Sequence, residues 1–342
     1  MTGTGRRIAV VLFNLGGPDG PEAVRPFLRN LFSDRAIIDA PLWVRAPLAS
    51  FISRVRQRSA IANYALMGGG SPILENTRAQ ASALELWLMD RLLGADVRVF
   101  VCMRYWKPSA TDVAKAVTLY GPDDIVLAPL YPQFSTTTTA SSLNAWKQAY
   151  RGQGECRAMC CWYDNPGLVE AHLEGILRTW RAAGSPKVRL LFSVHGLPER
   201  IALSGDPYQW QIEKTCAEVG RRLGPEWDWA ICYQSRVGPL KWIAPSTPEA
   251  IETASREGLG VLIDPIAFVS EHIETLVELD QDYAELARRM GAPCYLRVPT
   301  VSTSKPFIEG LGNGVIGALG RHGDQPDGAP CPRQFSRCGR SK

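Results

Sequence analysis

A histidine at the end of a buried strand is the residue of this chain best placed to do chemistry. His195 follows the apolar run 188–194 and precedes Gly196 and Pro198, which force a turn. In open α/β sheets, ligands bind just outside the carboxyl ends of the strands. An imidazole there can exchange protons with a bound molecule near neutral pH. The sequence therefore predicts a proton-transfer role for His195; the alternative is a core histidine that caps its own loop.

A row of carboxylates follows a second strand end. Glu271, Glu274, Glu278 and Asp282 recur at steps of three and four residues after an apolar run. On an α-helix this spacing places them along one face. Carboxylates are hard oxygen ligands, so the row could transfer a divalent cation from one carboxylate to the next. The alternative is a solvated acidic face of the helix. Because this helix also starts at a strand's carboxyl end, we favour the metal-handling interpretation.

Polar and aromatic side chains mark further strand ends. Arg104 and Tyr105 close one strand, and residues 234–239 with Trp242 nearby close another. The glycine-rich segment 68–71 precedes a helix. Its backbone amides and serine hydroxyl could hold an anion such as a carboxylate. The alternative is that the segment is only a flexible entry to the helix. So many polar and aromatic groups at strand ends indicate a large, flat ligand with charged edges.

The elements that position these residues follow from hydrophobic periodicity. Strands are predicted at 8–15, 97–104, 125–131, 188–194, 229–234, 260–268 and 295–298, with helical patterns between them. Strands separated by helices imply parallel sheets. We therefore expect an α/β protein of two similar, doubly wound, Rossmann-like halves, with boundaries at 1–165 and 166–319 and a polar, cysteine-containing tail at 320–342.

Composition excludes several classes of protein. The chain has 342 residues, of which 45% are apolar, but no apolar run long enough to span a membrane. Its net charge of +4 is too mild to argue for nucleic acid. The N-terminus lacks the pattern of an export signal, so we expect a cytoplasmic protein. Its nine cysteines should then be reduced thiols or metal ligands rather than disulfides.

Six motifs in order resemble those of the ferrochelatase family, whose members insert ferrous iron into a porphyrin at the end of haem biosynthesis. They are LFNLGGP at 12–18, GGGSP at 68–72, YPQ at 131–133, SVHGLP at 193–198, QSRVGP at 234–239 and HIET at 272–275. The resemblance spans about residues 8 to 318. It implies a lyase that acts on protoporphyrin IX, with two Rossmann-like halves and the porphyrin in a cleft between them.

The resemblance also implies roles for individual residues. His195 and Glu274 would be catalytic and would contact the iron, His195 either as the base that accepts pyrrole protons or as an iron ligand. Glu271 and Glu278 would belong to the same metal or proton path. The positions that would contact the porphyrin are Leu15, Tyr64, Ser71, Arg104, Tyr105, Trp242 and Phe268. Of these, Ser71 would contact a propionate.

The cysteines suggest a second iron site. Some members of the family carry a [2Fe–2S] cluster, which uses four ligands. Cys331 and Cys338 in the tail, together with Cys160 and Cys161, would supply four. A tail too polar to order itself has no packing reason to keep thiols, so we expect the cluster; the alternative is four ordinary thiols.

The segment 40–58 mixes aromatic and aliphatic residues with arginines. In the family this region forms a lip around the pocket mouth, and the pattern suits shallow contact with a membrane surface. It fits equally a packed helix with a basic outer face. We expect a monomer or homodimer, located in the cytoplasm with peripheral contact at the inner membrane face.

Three other functions stay open. The same fold acting on coproporphyrin III would need a pocket with room for more propionates. A non-catalytic haem or porphyrin carrier would keep the cleft but would not need both His195 and Glu274. A cobalt-inserting chelatase fits the six motifs less well.

Overall fold

The computed structural model describes residues 5–236, 240–320 and 331–339. These residues divide into two units. The first comprises 5–162 with 311–320, and the second comprises the described part of 163–310 with 331–339. Each unit contains one four-stranded sheet in which every neighbouring pair of strands is parallel.

The strands have the following bounds. In the first unit they are β1 (Arg7–Asn14), β2 (Asp96–Met103), β3 (Asp124–Pro129) and β4 (Glu155–Ala158), in the order β2-β1-β3-β4. In the second unit they are β5 (Val188–His195), β6 (Trp229–Gln234), β7 (Gly260–Asp264) and β8 (Tyr295–Arg297), in the order β6-β5-β7-β8. The prediction of an α/β fold with two parallel sheets is confirmed.

Both sheets have the same connectivity. In each, the chain leaves a central strand, adds the next strand on one side, then crosses to the other side for the third and fourth. The direction of winding therefore reverses beside β1 and beside β5. Ligand sites of open α/β sheets lie at the carboxyl ends of strands at such a switch point. In the second unit that position is His195, the last residue of β5.

The helices have the following bounds. In the first unit they are α1 (Pro21–Phe32), α2 (Leu42–Ala65), α3 (Ile73–Met89), α4 (Ala110–Tyr120) and α5 (Thr139–Ala149). Next come α6 (Pro166–Ala182), α7 (Glu199–Leu203), α8 (Tyr208–Leu223), α9 (Thr247–Arg256), a π-helix (Glu274–Tyr283), α10 (Ala284–Arg289) and α11 (Lys305–Leu319). No helix in the described parts of the chain is long and apolar enough to cross a membrane.

The central strand of the second unit is buried on both faces. Leu190 and Phe192 pack with residues of α6 and α8, such as Ile212. Leu191 points the opposite way and packs with residues of α9, such as Ile251. Successive side chains of a strand point to opposite faces, so helices on both sides bury the positions from Leu190 to Val194. This packing fixes the end of the strand at which His195 lies.

Candidate active site

His195 leaves the sheet through a turn that only glycine allows. A Cβ atom on Gly196 would lie 2.9 Å from the carbonyl oxygen of Gln234 and 3.1 Å from the indole ring of Trp242. Tight packing of the chain against these two residues holds the turn in place. The imidazole itself keeps 40% of its side-chain surface exposed. The strand end is therefore rigid, whereas the ring is open to a ligand.

The hydrogen bonds of His195 assign its tautomer. Its Nδ1 lies 2.7 Å from the carbonyl oxygen of Gly196. A carbonyl oxygen only accepts, so Nδ1 carries the proton and donates it. In the neutral ring, Nε2 then has a free lone pair. This nitrogen lies 3.5 Å from Oε1 of Glu274.

The other oxygen of Glu274 is bound by His272. Nε2 of His272 donates to Glu274 Oε2 at 2.6 Å, and Nδ1 donates to the carbonyl oxygen of Ser270 at 2.9 Å. When Glu274 is ionised, both partners only accept, so both ring nitrogens carry protons and His272 is an imidazolium in that state. Burial alone would lower the pKa of His272, but the hydrogen bond to Glu274 and the charge of that carboxylate raise it.

The same contacts keep Glu274 ionised. Burial alone would raise the pKa of Glu274, but the hydrogen bond from His272, the charge of His272 and the positive charge that His195 carries when protonated lower it to about 2. Glu274 is thus an anion with one oxygen neutralised by His272 and the other facing His195. A proton that arrives at Nε2 of His195 would meet this second oxygen. The arrangement suits a base that accepts a proton from a ligand.

The row of carboxylates predicted for one helix face is wrong. The helix begins at Glu274 rather than at Glu271, and it is a π-helix, whose i to i+5 hydrogen bonds change which residues share a face. Glu271 lies before it, and its Oε1 binds Arg297 Nη1 at 2.6 Å. Glu278 accepts from Tyr283 OH at 2.7 Å, and Asp282 is exposed.

Two aromatic residues predicted to contact the ligand lie beside these histidines. The Phe268 ring centroid is 4.6 Å from that of His272, with the planes at 58°. Trp242 packs against Gly196 and forms a β-bridge with Pro198. The rest of the predicted loop, Val237 to Pro239, lies outside the described residues.

In the first unit, Arg104 and Tyr105 share a carboxylate. Oδ2 of Asp34 accepts from Arg104 Nη2 at 2.7 Å, from Tyr105 OH at 2.8 Å and from the hydroxyl of Ser141. Burial would raise the pKa of Asp34, but the hydrogen bonds from Ser141 and Ala36, with the charge of Arg104, lower it. Burial is the main reason that the pKa of Tyr105 is raised, so this phenol stays protonated.

The remaining predicted ligand contacts of the first unit have these positions. The carbonyl oxygen of Leu15 accepts from Tyr105 N at 3.0 Å, which joins the ends of β1 and β2. Ser71 N donates to the carbonyl oxygen of Pro18 at 2.8 Å, and Ser71 is half-buried. Tyr64 is 5% exposed. The first unit thus groups Leu15, Arg104 and Tyr105 at neighbouring strand ends, as His195 and Glu274 are grouped in the second.

The four cysteines proposed as iron–sulfur ligands are divided between the two units. Cys160 and Cys161 are buried near the end of the first unit. Cys331 Sγ accepts from Gln211 Nε2 at 3.1 Å, and Cys338 is buried in the second unit. Within the described ranges, no group of three or more cysteine, histidine or acidic side chains is arranged to hold a metal ion. The [2Fe–2S] cluster therefore stays a prediction.

Sequence reasoning missed three residues of these clusters. His272 stands two positions before Glu274, and the motif at 272–275 gives no sign that its imidazole binds that carboxylate. Asp34 and Ser141 lie 70 and 37 positions from Arg104. Nothing in the local sequence around Asp34 pairs it with Arg104, whereas the hydroxyl-rich run before Ser141 gives a weak signal.

Comparison with solved structures identifies the fold. CbiX, described as the terminal enzyme for biosynthesis of siroheme in denitrifying bacteria, aligns with a TM-score of 0.51 at 15% identity, covering 92% of this chain and all of that one. SirB from Bacillus subtilis with Fe3+ aligns with a TM-score of 0.50 at 11% identity, covering 92% and 96%. At these identities the likeness concerns the fold alone.

Comparison of sequences identifies the family. The ferrochelatase of Phenylobacterium zucineum is 54% identical over 334 residues, and that of Caulobacter vibrioides is 54% identical over 337 residues. Each alignment covers 97% of this chain and 97% of the relative. The ferrochelatase family model matches residues 7–319. The chain therefore belongs to the ferrochelatase family.

Proposed function

We propose that this protein inserts ferrous iron into protoporphyrin IX, with His195 as the group that accepts the pyrrole protons. Family membership supports an enzyme that places iron in a porphyrin for haem synthesis. The reaction exchanges one Fe2+ for two N–H protons, so the site needs a proton acceptor. The observation that supports His195 in this role is its free Nε2 lone pair, 3.5 Å from the Glu274 carboxylate.

Glu274 assists by its charge. When Nε2 of His195 accepts a proton, the ring becomes a cation next to the carboxylate, which stabilises it. His272 keeps Glu274 oriented and ionised through its 2.6 Å hydrogen bond. The second pyrrole proton can leave by the same route after His195 has released the first to solvent, since the imidazole is 40% exposed.

A role for His195 as an iron ligand is the competing interpretation, because the same lone pair could bind metal. The two roles differ in their dependence on the metal. If His195 is a base, replacing it lowers insertion of Fe(II) and Zn(II) by similar factors, since both metals displace the same protons. If it is a ligand, the two factors differ.

Glu271 already binds Arg297, and Glu278 already accepts a hydrogen bond from Tyr283. We therefore assign these two carboxylates a role in supporting the site rather than in a path for iron.

We assign the porphyrin contacts to Leu15, Tyr64, Ser71, Arg104, Tyr105, Trp242 and Phe268. Arg104 is the cation of this group, with 22% of its side chain exposed, and it suits an anionic propionate. Its second partner, Asp34, holds the guanidinium in one orientation. Phe268 and Trp242 offer apolar surface next to His272 and Gly196.

The substrate is tested by anaerobic insertion of Fe(II) with protoporphyrin IX and coproporphyrin III side by side, followed by porphyrin absorbance. Faster turnover of protoporphyrin supports the proposal. A strong preference for coproporphyrin would assign the chain to the alternative reaction. Tight porphyrin binding without insertion of iron, zinc or cobalt would contradict an enzymatic function and favour a carrier.

We further propose that the protein works in the cytoplasm with α2 in contact with a membrane surface. Trp43 is 79% exposed, Phe51 66% and Val55 63%. Arg54 and Arg58 are exposed on the same helix. Exposed apolar side chains beside cations suit the interface of an anionic bilayer, which would bring the enzyme to its poorly soluble substrate.

The [2Fe–2S] cluster is tested on the protein as purified. Visible absorbance that tracks two iron atoms per chain and is lost in a Cys331→Ser, Cys338→Ser variant would support it. Colourless, iron-free protein with full activity would exclude it.

A further inference from the structure

Gln234 is a fully buried polar residue next to His195. It ends β6, it is paired with His195 in the register of the parallel sheet, and its relative exposure is 0%. Its carbonyl oxygen accepts from Gly196 N at 2.9 Å. The backbone of Gln234 thus holds the turn that follows His195.

The side-chain amide of Gln234 joins two elements of the site. Its Oε1 accepts from the hydroxyl of Ser193 at 2.7 Å, two residues before His195 on β5. Its Nε2 donates to the carbonyl oxygen of Glu274 at 3.2 Å and to Oε2 of Glu278 at 3.0 Å. A carbonyl and a carboxylate only accept, so this orientation of the amide is fixed. Strand β5 and the π-helix are therefore connected through one buried group.

Glu278 is a fixed acceptor for that amide. Its Oε1 accepts from Ser235 N at 2.9 Å and from Tyr283 OH at 2.7 Å, and its Oε2 accepts from Gln234 and the Ser235 hydroxyl. Four donors fill the acceptor capacity of a carboxylate. Ser235 has φ +61°, a left-handed conformation that serine adopts only when its surroundings hold it. Glu278 supplies that support.

We propose that Gln234 is a positioning residue for metal insertion: its buried amide sets the spacing of 3.5 Å between His195 Nε2 and Glu274 Oε1. The inference rests on the proposed function of these two residues. Gln234 itself contacts neither metal nor porphyrin in this role. Proton transfer depends steeply on the placement of base and charge, so a small shift of the π-helix against β5 lowers the rate while the porphyrin contacts stay in place.

The test uses Gln234→Glu and Glu278→Gln, alone and together, in the full chain. Gln234→Glu places an acceptor against two acceptors, which pushes the π-helix away from β5. We expect kcat for Zn(II) and Fe(II) insertion to fall about 10- to 100-fold, with the porphyrin KM changed less than about threefold. In the double variant, the new amide at 278 can donate to the new carboxylate at 234, and we expect kcat to recover part of the loss.

A matched control separates positioning from general destabilisation. Gln211 is another glutamine of the second unit with 0% exposure, and its Nε2 donates to Cys331. Gln211→Glu also buries a carboxylate, and we expect it to lower the melting temperature without the loss of kcat. The inference is overturned if Gln234→Glu keeps the kcat of an active wild type, or if its loss is matched by Gln211→Glu and the double variant recovers nothing. A wild type that inserts no metal would instead refute the proposed function.

Discussion

His195 and Glu274 face each other through one ring nitrogen and one carboxylate oxygen, Nε2 and Oε1, 3.5 Å apart. The hydrogen bond from Nδ1 to Gly196 leaves Nε2 as the unprotonated position of the neutral ring. His272 occupies the other oxygen of Glu274. The carboxylate therefore has one oxygen bound by His272 and one directed at His195, which makes it a counter-ion for the protonated form of His195.

The pH dependence of stability should report the pair of Glu274 and His272. The pKa of Glu274 falls from 4.5 to about 2 on folding, so its contribution is present above about pH 4.5 and is lost as pH falls toward 2. The pKa of His272 rises from 6.5 on folding, so its contribution is full below pH 6.5 and is lost as pH rises through the folded value. The pair is most stabilising between these limits.

Glu274→Gln should therefore lower the free energy of unfolding most between pH 4.5 and 6.5, and less above the raised pKa of His272. We expect a loss of a few kcal/mol, because a change of one in the pKa corresponds to about 1.4 kcal/mol. Urea unfolding across this pH range measures it. Glu285→Gln, which removes an exposed ion pair with Arg288, should change little. An equal loss at every pH would contradict the assigned charges.

Asp34→Asn should weaken the first unit. Oδ2 of Asp34 accepts from Arg104, Tyr105 and Ser141, and Oδ1 accepts from Ala36 N. Asparagine has only one acceptor oxygen, so in either orientation of its amide at least one donor loses its partner. We expect the free energy of unfolding to fall by about 1–3 kcal/mol, and the KM for porphyrin to rise because Arg104 loses its fixed orientation. Asp39→Asn, at an exposed pair with Arg35, serves as the control. Unchanged stability and KM would show that Asp34 does not hold Arg104.

Membrane contact through α2 predicts vesicle binding. The protein should cosediment with vesicles of anionic lipid, and the variant Trp43→Glu, Leu48→Glu should lose that binding, because it puts two charges where apolar side chains enter the interface. Leu119→Glu, at a leucine of α4 that is 90% exposed, should bind as the wild type does. Absence of binding by the wild type would refute the proposal.

The sequence predicted the sheets well because β-strands with buried faces have continuous apolar runs. Strand β6 was predicted with its observed bounds, 229–234, and β5 with one residue missing. Strand β4 was missed because its four residues include Glu155 and Arg157, which give no apolar run. The predicted strand 260–268 ends at Asp264, since Pro265 follows and the remaining apolar residues form a loop.

The candidate site was only partly predictable. Motif positions identified His195 and Glu274, but the spacing of carboxylates assumed an α-helix, and a π-helix has no clear sequence signal. Contacts between distant residues, such as Asp34 with Arg104 and Ser193 with Gln234, depend on strand order and register. Strand order and register are properties of the folded chain, so local hydrophobic periodicity does not predict these contacts.

The most direct test of the account compares the wild type with His195→Ala in anaerobic Fe(II) insertion, together with porphyrin binding by each. The account predicts that the variant binds protoporphyrin nearly as the wild type does and loses at least about 100-fold in the rate of insertion, because the proposal makes His195 the group that accepts the pyrrole protons. Retained turnover in His195→Ala would contradict the assignment of His195 as the proton acceptor.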